Sequence, residues 1–136
     1  MHNHAAMTAE LVLVIDDNER NSKLVRDVLE AAGLRTMSAL TATDGLALAR
    51  DRQPDLVLMD LRLPDLDGFT ARQKLLEDPR TAGIPVVAVS AIPLSHAGDT
   101  WRGAGFAGYV EKPLDVLALP DRVRGYIAGT TGPALS

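Results

Sequence analysis

Asp16, Asp17, Asp60, Ser90 and Lys112 are the residues of this 136-residue chain whose types together suggest a chemistry. Each stands at or just beyond the end of a short aliphatic run. Taken singly they are unremarkable, because an aspartate behind a strand is often a helix cap or turn former. Lone serines and lysines are ordinary surface residues. Together they need another explanation. Three carboxylates brought close repel one another and raise each other's pKa unless a cation offsets them. An all-oxygen donor set suits a hard dication, and Mg²⁺ suits best because it takes one or two carboxylates, keeps several waters and bridges to phosphate oxygens. Mn²⁺ is a workable substitute. No histidine joins the set, which disfavours zinc. His2 and His4 fall in the first few residues, and His96 reads as surface.

Convergence of these residues depends on the elements between them. Leu11 to Ile15 (LVLVI), Leu56 to Met59 and Val86 to Val89 are uninterrupted aliphatic runs, the pattern of strands buried on both faces. They end at Asp16, Asp60 and Ser90. A short strand near Leu34 to Met37 and another at Tyr109-Val110, ending near Lys112, complete five. Helical spacing of Leu24, Val25, Val28, Leu29 and Ala32 closes at Gly33. Further helices are expected at about 44–50, 69–76, before Gly105 and at about 115–127. Pro93 and Gly98 should make the start of the fourth irregular, and Pro120 should kink the last or delay its start. Five alternations with short connections give an α/β fold, a parallel sheet with helices on both faces. Ligands of such sheets sit at the carboxyl ends of the strands, where all five residues lie.

Composition limits the alternatives. The length suits one domain with a real core. Residues 1–9 are expected to be disordered, 10–128 to form the domain and 129–136 to be a flexible tail. No apolar run is long enough for a membrane span, and the start lacks a signal-peptide pattern. Absence of cysteine removes disulfide and thiolate chemistry and fits a cytoplasmic location. A net charge of −4 argues against nucleic-acid binding. Gly103, Gly105 and Gly108 have the spacing of a dinucleotide loop but follow a helix and precede a strand, the reverse of what such a loop requires. Gly105 reads instead as a left-handed helix end. Trp101 reads as core more readily than as an interface anchor.

The segments LVLVIDDN (11–18), LVLMDLRLPDLDG (56–68), VVAVSA (86–91) and AGFAGYVEKP (104–113) resemble the receiver domain of bacterial two-component response regulators, over roughly residues 10–128. The resemblance implies the flavodoxin-like fold, a doubly wound five-stranded sheet of order 2-1-3-4-5 with five helices. It implies that Asp60 is the phosphoacceptor, that Asp17, Asp60 and the backbone carbonyl of Arg62 bind Mg²⁺ directly, and that Asp16 acts through a metal-bound water. Lys112 and Ser90 would each hold a phosphoryl oxygen, and the Lys112-Pro113 bond would be cis. The partners implied are a sensor histidine kinase or histidine phosphotransfer protein and a downstream protein of unknown identity, with the chain a monomer or a weak phosphorylation-dependent dimer.

As a switch, the resemblance implies that Ser90 is drawn towards the phosphoryl group and that Tyr109 turns from solvent to core. This would alter the face made by the fourth helix, fifth strand and fifth helix. Ser90 stands where the family most often has threonine, with the hydroxyl kept. Arg62 and Ile92 lie near the path of an attacking water, which apolar Ile92 cannot orient, so the phosphoryl group should last minutes or more. The reading is of a single-domain regulator. The alternatives are a receiver fragment of a larger regulator and a magnesium-dependent aspartyl-phosphate phosphohydrolase. The latter is disfavoured because Arg62 stands where such enzymes place an acid, two residues after the nucleophile.

Overall fold

The computed structural model describes residues 9–129. Apart from Ala9 and Gly129, the segments expected to be a disordered start and a flexible tail lie outside them. Five parallel strands, β1 (Leu11–Ile15), β2 (Arg35–Ala39), β3 (Leu56–Asp60), β4 (Val86–Ser90) and β5 (Gly108–Glu111), form one sheet in the order β2-β1-β3-β4-β5. Around it lie α1 (Glu19–Ala31), α2 (Ala42–Arg52), α3 (Gly68–Glu77), α4 (Leu94–Ala97), α5 (Thr100–Gly103) and α6 (Leu119–Ala128).

The aliphatic strands are continuous because they are buried on both sides, and their alternation divides the core in two. Leu13, Ile15, Val57, Met59, Val86, Ala88 and Tyr109 share one cluster with Ala71 and Leu75 of α3 and with Trp101 and Phe106. Val12, Val14, Leu56, Leu58, Val87, Val89 and Val110 share the other with Val25 and Leu29 of α1 and Val123 and Tyr126 of α6. Each fully buried aliphatic side chain is worth roughly 1.5–3 kcal/mol, so both layers are strongly held.

Helix starts follow local chemistry. The side chains of Asn18, Thr41 and Asp67 accept N–H bonds from Asn21, Asp44 and Thr70 and so cap α1, α2 and α3. Pro120 lies at the first turn of α6 and delays that helix to Leu119, where the missing N–H costs nothing. The fourth helix differs from expectation. It is two four-residue helices, giving six among the described residues rather than five, because Gly98 between them adopts φ 65° and ψ −149°. That backbone region is essentially closed to any other residue.

Gly105 does end α5 in a left-handed conformation, φ 94°, as expected. Gly108 lies close under the Tyr126 ring, where a Cβ would come within 2.4 Å of ring carbon. Gly105 thus shapes the backbone and Gly108 admits a ring. Trp101 is 2% exposed and belongs to the core.

Candidate functional site

Register brings the acidic residues together. Ile15 is opposite Met59 in the parallel β1–β3 pair, so the next residues along, Asp16 and Asp60, emerge side by side. This is also where the sheet order reverses, since β1 and β3 are neighbours while β2 lies on the other side of β1. One carboxylate oxygen from each of Asp16, Asp17 and Asp60 lies within 4.8 Å of the others. Asp16 and Asp60 are buried and Asp17 is exposed.

Lys112 reaches this cluster from the far side. Its backbone N–H donates to Ser90 O at 2.8 Å, placing it one step beyond the β4–β5 ladder. Its Nζ donates to Asp60 Oδ2 at 2.7 Å and stands 4.0 Å from Asp16 Oδ2. The Lys112-Pro113 peptide is cis, as the sequence suggested. Asp60 Oδ1 accepts the Arg62 N–H at 2.8 Å, and Asp16 Oδ1 accepts the Asn18 N–H at 2.8 Å. Both carboxylates are thereby fixed in rotamer by their own loops. Burial, above all, raises the Asp16 carboxyl above its ordinary value; Asp60 and Asp17 push the same way, against the Asn18 amide and the Lys112 ammonium.

The cluster opens into a cleft of about 790 Å³ lined by Asp17, Asn18, Asp60, Arg62, Ser90, Ile92 and Lys112, among others. All the residues singled out at the strand ends therefore meet at one rim. The charge balance bears on a cation: one ammonium faces three carboxylates, and the three clustered groups all offer oxygen. Asp16, Asp17 and Asp60 fit a hard dication.

Ser90 and Tyr109 meet through Ile92, a residue whose sequence position suggested a bearing on hydrolysis alone. Ser90 Oγ accepts the Ile92 N–H at 3.0 Å, and the Tyr109 hydroxyl donates to Ile92 O at 2.5 Å. One correction concerns Tyr109. The resemblance implies a start in solvent, yet the ring is 2% exposed and packs against Trp101 at 5.9 Å between ring centroids. The bond to Ile92 and the Trp101 contact hold it inward. His96 is exposed, as expected; His2 and His4 lie outside the described residues. Asn18 was missed as a partner of Asp16, although an Asp-x-Asn turn before a helix is a readable signal.

Comparison with known proteins agrees with this geometry. Residues 12–124 match the response regulator receiver domain family. The chain is 35% identical over 116 residues to the polar-differentiation response regulator DivK of Brucella ovis, covering 85% of this chain and 94% of that protein. Among solved structures, a putative response regulator from Chloroflexus aurantiacus superposes with TM-score 0.82 at 26% identity, over 89% of this chain and 99% of that one. The receiver domain of sensor histidine kinase PA1611 from Pseudomonas aeruginosa, solved with a magnesium ion coordinated in its active-site cleft, gives 0.79 at 25%, again over 89% and 99%. Chemotaxis response regulator CheY4 of Vibrio cholerae shares the fold at 0.82 and 20% identity, over 88% and 99%. Among the described residues, no helix is long and apolar enough to cross a membrane.

Proposed function

The chain belongs to the response regulator receiver family of two-component signalling, and from that premise we propose that residues 10–128 accept a phosphoryl group on Asp60 from a histidine kinase or histidine phosphotransfer protein. The observation that carries this reading is the ammonium of Lys112 held 2.7 Å from a buried Asp60 carboxylate at the acidic rim. An isolated anion would repel an incoming phosphoryl group. A fixed cation beside it makes the approach electrostatically tolerable.

The chemistry is an in-line displacement. An oxygen of Asp60 forms a bond to phosphorus as the phosphorus–nitrogen bond of the donor phosphohistidine breaks, and that electron pair returns to the imidazole. Lys112 moves its hydrogen bond from the carboxylate to an equatorial phosphoryl oxygen. The Arg62 N–H holds the other carboxylate oxygen so that the attacking lone pair points into the cleft. Asp16, Asp17, Asp60 and the Arg62 carbonyl would hold Mg²⁺, which when bound supplies the positive charge that the clustered carboxylates and phosphoryl oxygens require.

The readout runs through Ile92. Ser90 accepts from its N–H and has its own proton to donate to a phosphoryl oxygen; swinging to do so pulls on the residue whose carbonyl holds Tyr109. The face of α4, α5, β5 and α6 would thereby change for a downstream protein. The chain matches 94% of the length of DivK, itself a response regulator, which supports the receiver reading.

The test is incubation with acetyl phosphate and Mg²⁺ followed by intact-mass measurement. The native chain should gain one phosphoryl group and keep it for minutes, because exposed, apolar Ile92 cannot orient an attacking water; Asp60→Asn should gain none. Continuous phosphate release would favour a phosphohydrolase instead.

A further inference from the structure

The loop after β3 carries both Asp60's N–H partner and the carbonyl proposed to meet the cation, so its position sets the site. Within that loop, Leu61 O accepts the Gly68 N–H at 3.0 Å and Arg62 bridges to Asp67, which closes residues 61–68 on themselves. The Leu61 N–H ties the loop to β4 through Val89 O at 3.1 Å, and Asp65 ties it the other way, to α2. The carboxylate of Asp65 accepts the Ala42 N–H at 2.8 Å, the Thr43 N–H at 2.8 Å and the Thr43 hydroxyl at 2.6 Å. These are the first amides of α2, from a segment more than twenty positions away in sequence. The side-chain caps of α1 and α3 come from their own N-cap residues, Asn18 and Asp67, whereas α2 also takes a carboxylate from another loop.

Helix α2 in turn rests on β1. A Cβ at Gly45 would lie 2.4 Å from Ile15 Cδ1, so the helix backbone is seated on the residue preceding Asp16. Asp16 N–H also donates to Ala39 O, three residues before α2 begins. The start of α2 is thus a bracket that touches the strand end bearing Asp16 and Asp17 on one side. Through Asp65 it touches the loop bearing Arg62 on the other. Charge-assisted bonds of this kind are about twice as strong as neutral ones, and three on one carboxylate leave it little freedom.

We propose that Asp65 is a positioning residue: by tying the β3–α3 loop to the first turn of α2, it fixes the spacing between the β1 carboxylates and the β3 loop that together hold the divalent cation. The proposal rests on the metal-dependent reading of the site above and assigns Asp65 no contact with the ion. Its test is a titration of the ¹⁵N-labelled chain with MgCl₂ alone, followed by amide chemical shifts well below each variant's Tm.

Asp65→Ala should bind Mg²⁺ about fivefold more weakly, somewhat less than the loss when a ligand's direct partner is removed. Labelling by acetyl phosphate should slow at limiting Mg²⁺ and recover at saturating Mg²⁺. Thr41→Val removes α2's own cap but leaves the tie, so it should lower Tm without changing Mg²⁺ affinity. Should Asp65→Ala fail to fold, Thr43→Val removes only the hydroxyl arm and should weaken binding about twofold, the scale of one modest hydrogen bond. Unchanged affinity in Asp65→Ala, or equal weakening in Thr41→Val, would overturn the proposal. A wild-type chain that binds no Mg²⁺ would overturn the underlying reading of the site, a separate outcome.

Discussion

The β1–β3 rim and the α4–α5 segment are built in opposite ways. At the rim, Asp16 and Asp60 each have an oxygen pinned by an N–H two residues on, and Lys112 is bonded at 2.7 Å. The adjoining loop is tied to α2 by three bonds to one carboxylate. The α4–α5 segment has two single-turn helices, neither with a side-chain cap, and α4 buries no residue. Its anchor is Trp101, whose indole N–H finds no partner among the described residues. Charge needs fixed geometry, because an ammonium displaced by an ångström from its carboxylate loses the hydrogen bond and about a quarter of the Coulomb attraction. A signalling surface needs two arrangements of similar energy. The contrast fits the proposed switch, with rigidity and pliancy placed on different elements around one sheet.

The largest expected effect tests the rigid side. Lys112→Met removes the cation beside Asp60, and labelling by acetyl phosphate should slow about 100-fold or more, as when a charge-stabilising donor is lost. A matched pair of alanine substitutions then sets the two regions against each other. At Gly68 a Cβ would lie 2.8 Å from Leu61 Cα, a backbone atom that cannot step aside. Gly68→Ala should therefore cost about 2 kcal/mol in denaturant titration and slow labelling as the Asp60 loop shifts.

At Gly98 nothing stands within 4 Å of an added Cβ, and only the backbone conformation objects. Gly98→Ala should let residues 94–103 join into a continuous helix, costing less than ~1 kcal/mol instead of the ~1–3 kcal/mol of held strain. Helical circular dichroism should rise. A loss as large as that of Gly68→Ala would erase the contrast.

The smallest effect comes from Asp16. Its folded pKa is raised above the unfolded value, so the stability it contributes is complete below the unfolded pKa and is lost as pH rises through the folded one. At neutral pH the ionised form is a net burden. In Mg²⁺-free buffer Asp16→Asn, which keeps an acceptor for the Asn18 N–H, should raise Tm by about 2 °C, an increment of about 0.5 kcal/mol. The gain should vanish in mild acid, where the native carboxyl is protonated as well.

The parallel sheet and the rim were legible because both rest on local, strong signals, whereas the strand order came from the family resemblance. Unbroken aliphatic runs mark doubly buried strands, and in a parallel sheet the residues just past each run must lie at the same edge. The placement of the glycine pattern at 103–108 between helix and strand was also readable, as was the left-handed helix end at Gly105. The broken fourth helix was foreseen only as irregularity, because a sequence shows that Gly98 permits a positive φ but not that the chain will use it. Tyr109's inward position depends on Ile92 O and Trp101, neither of which its sequence neighbourhood reveals. Asp65 was invisible for the same reason. Its partners are Ala42 and Thr43, and no pattern in the loop LRLPDLDG points to them.

The most direct test of the central claim is to locate the phosphoryl group. The chain would be labelled with acetyl phosphate and Mg²⁺, the acyl phosphate reduced with borohydride, and the reduced residue mapped by peptide mass spectrometry. The account expects homoserine at position 60 and nowhere else, in a yield that falls to background when the metal is chelated. Modification at Asp16, Asp17 or another residue with Asp60 intact would contradict it, as would equal yield without the metal.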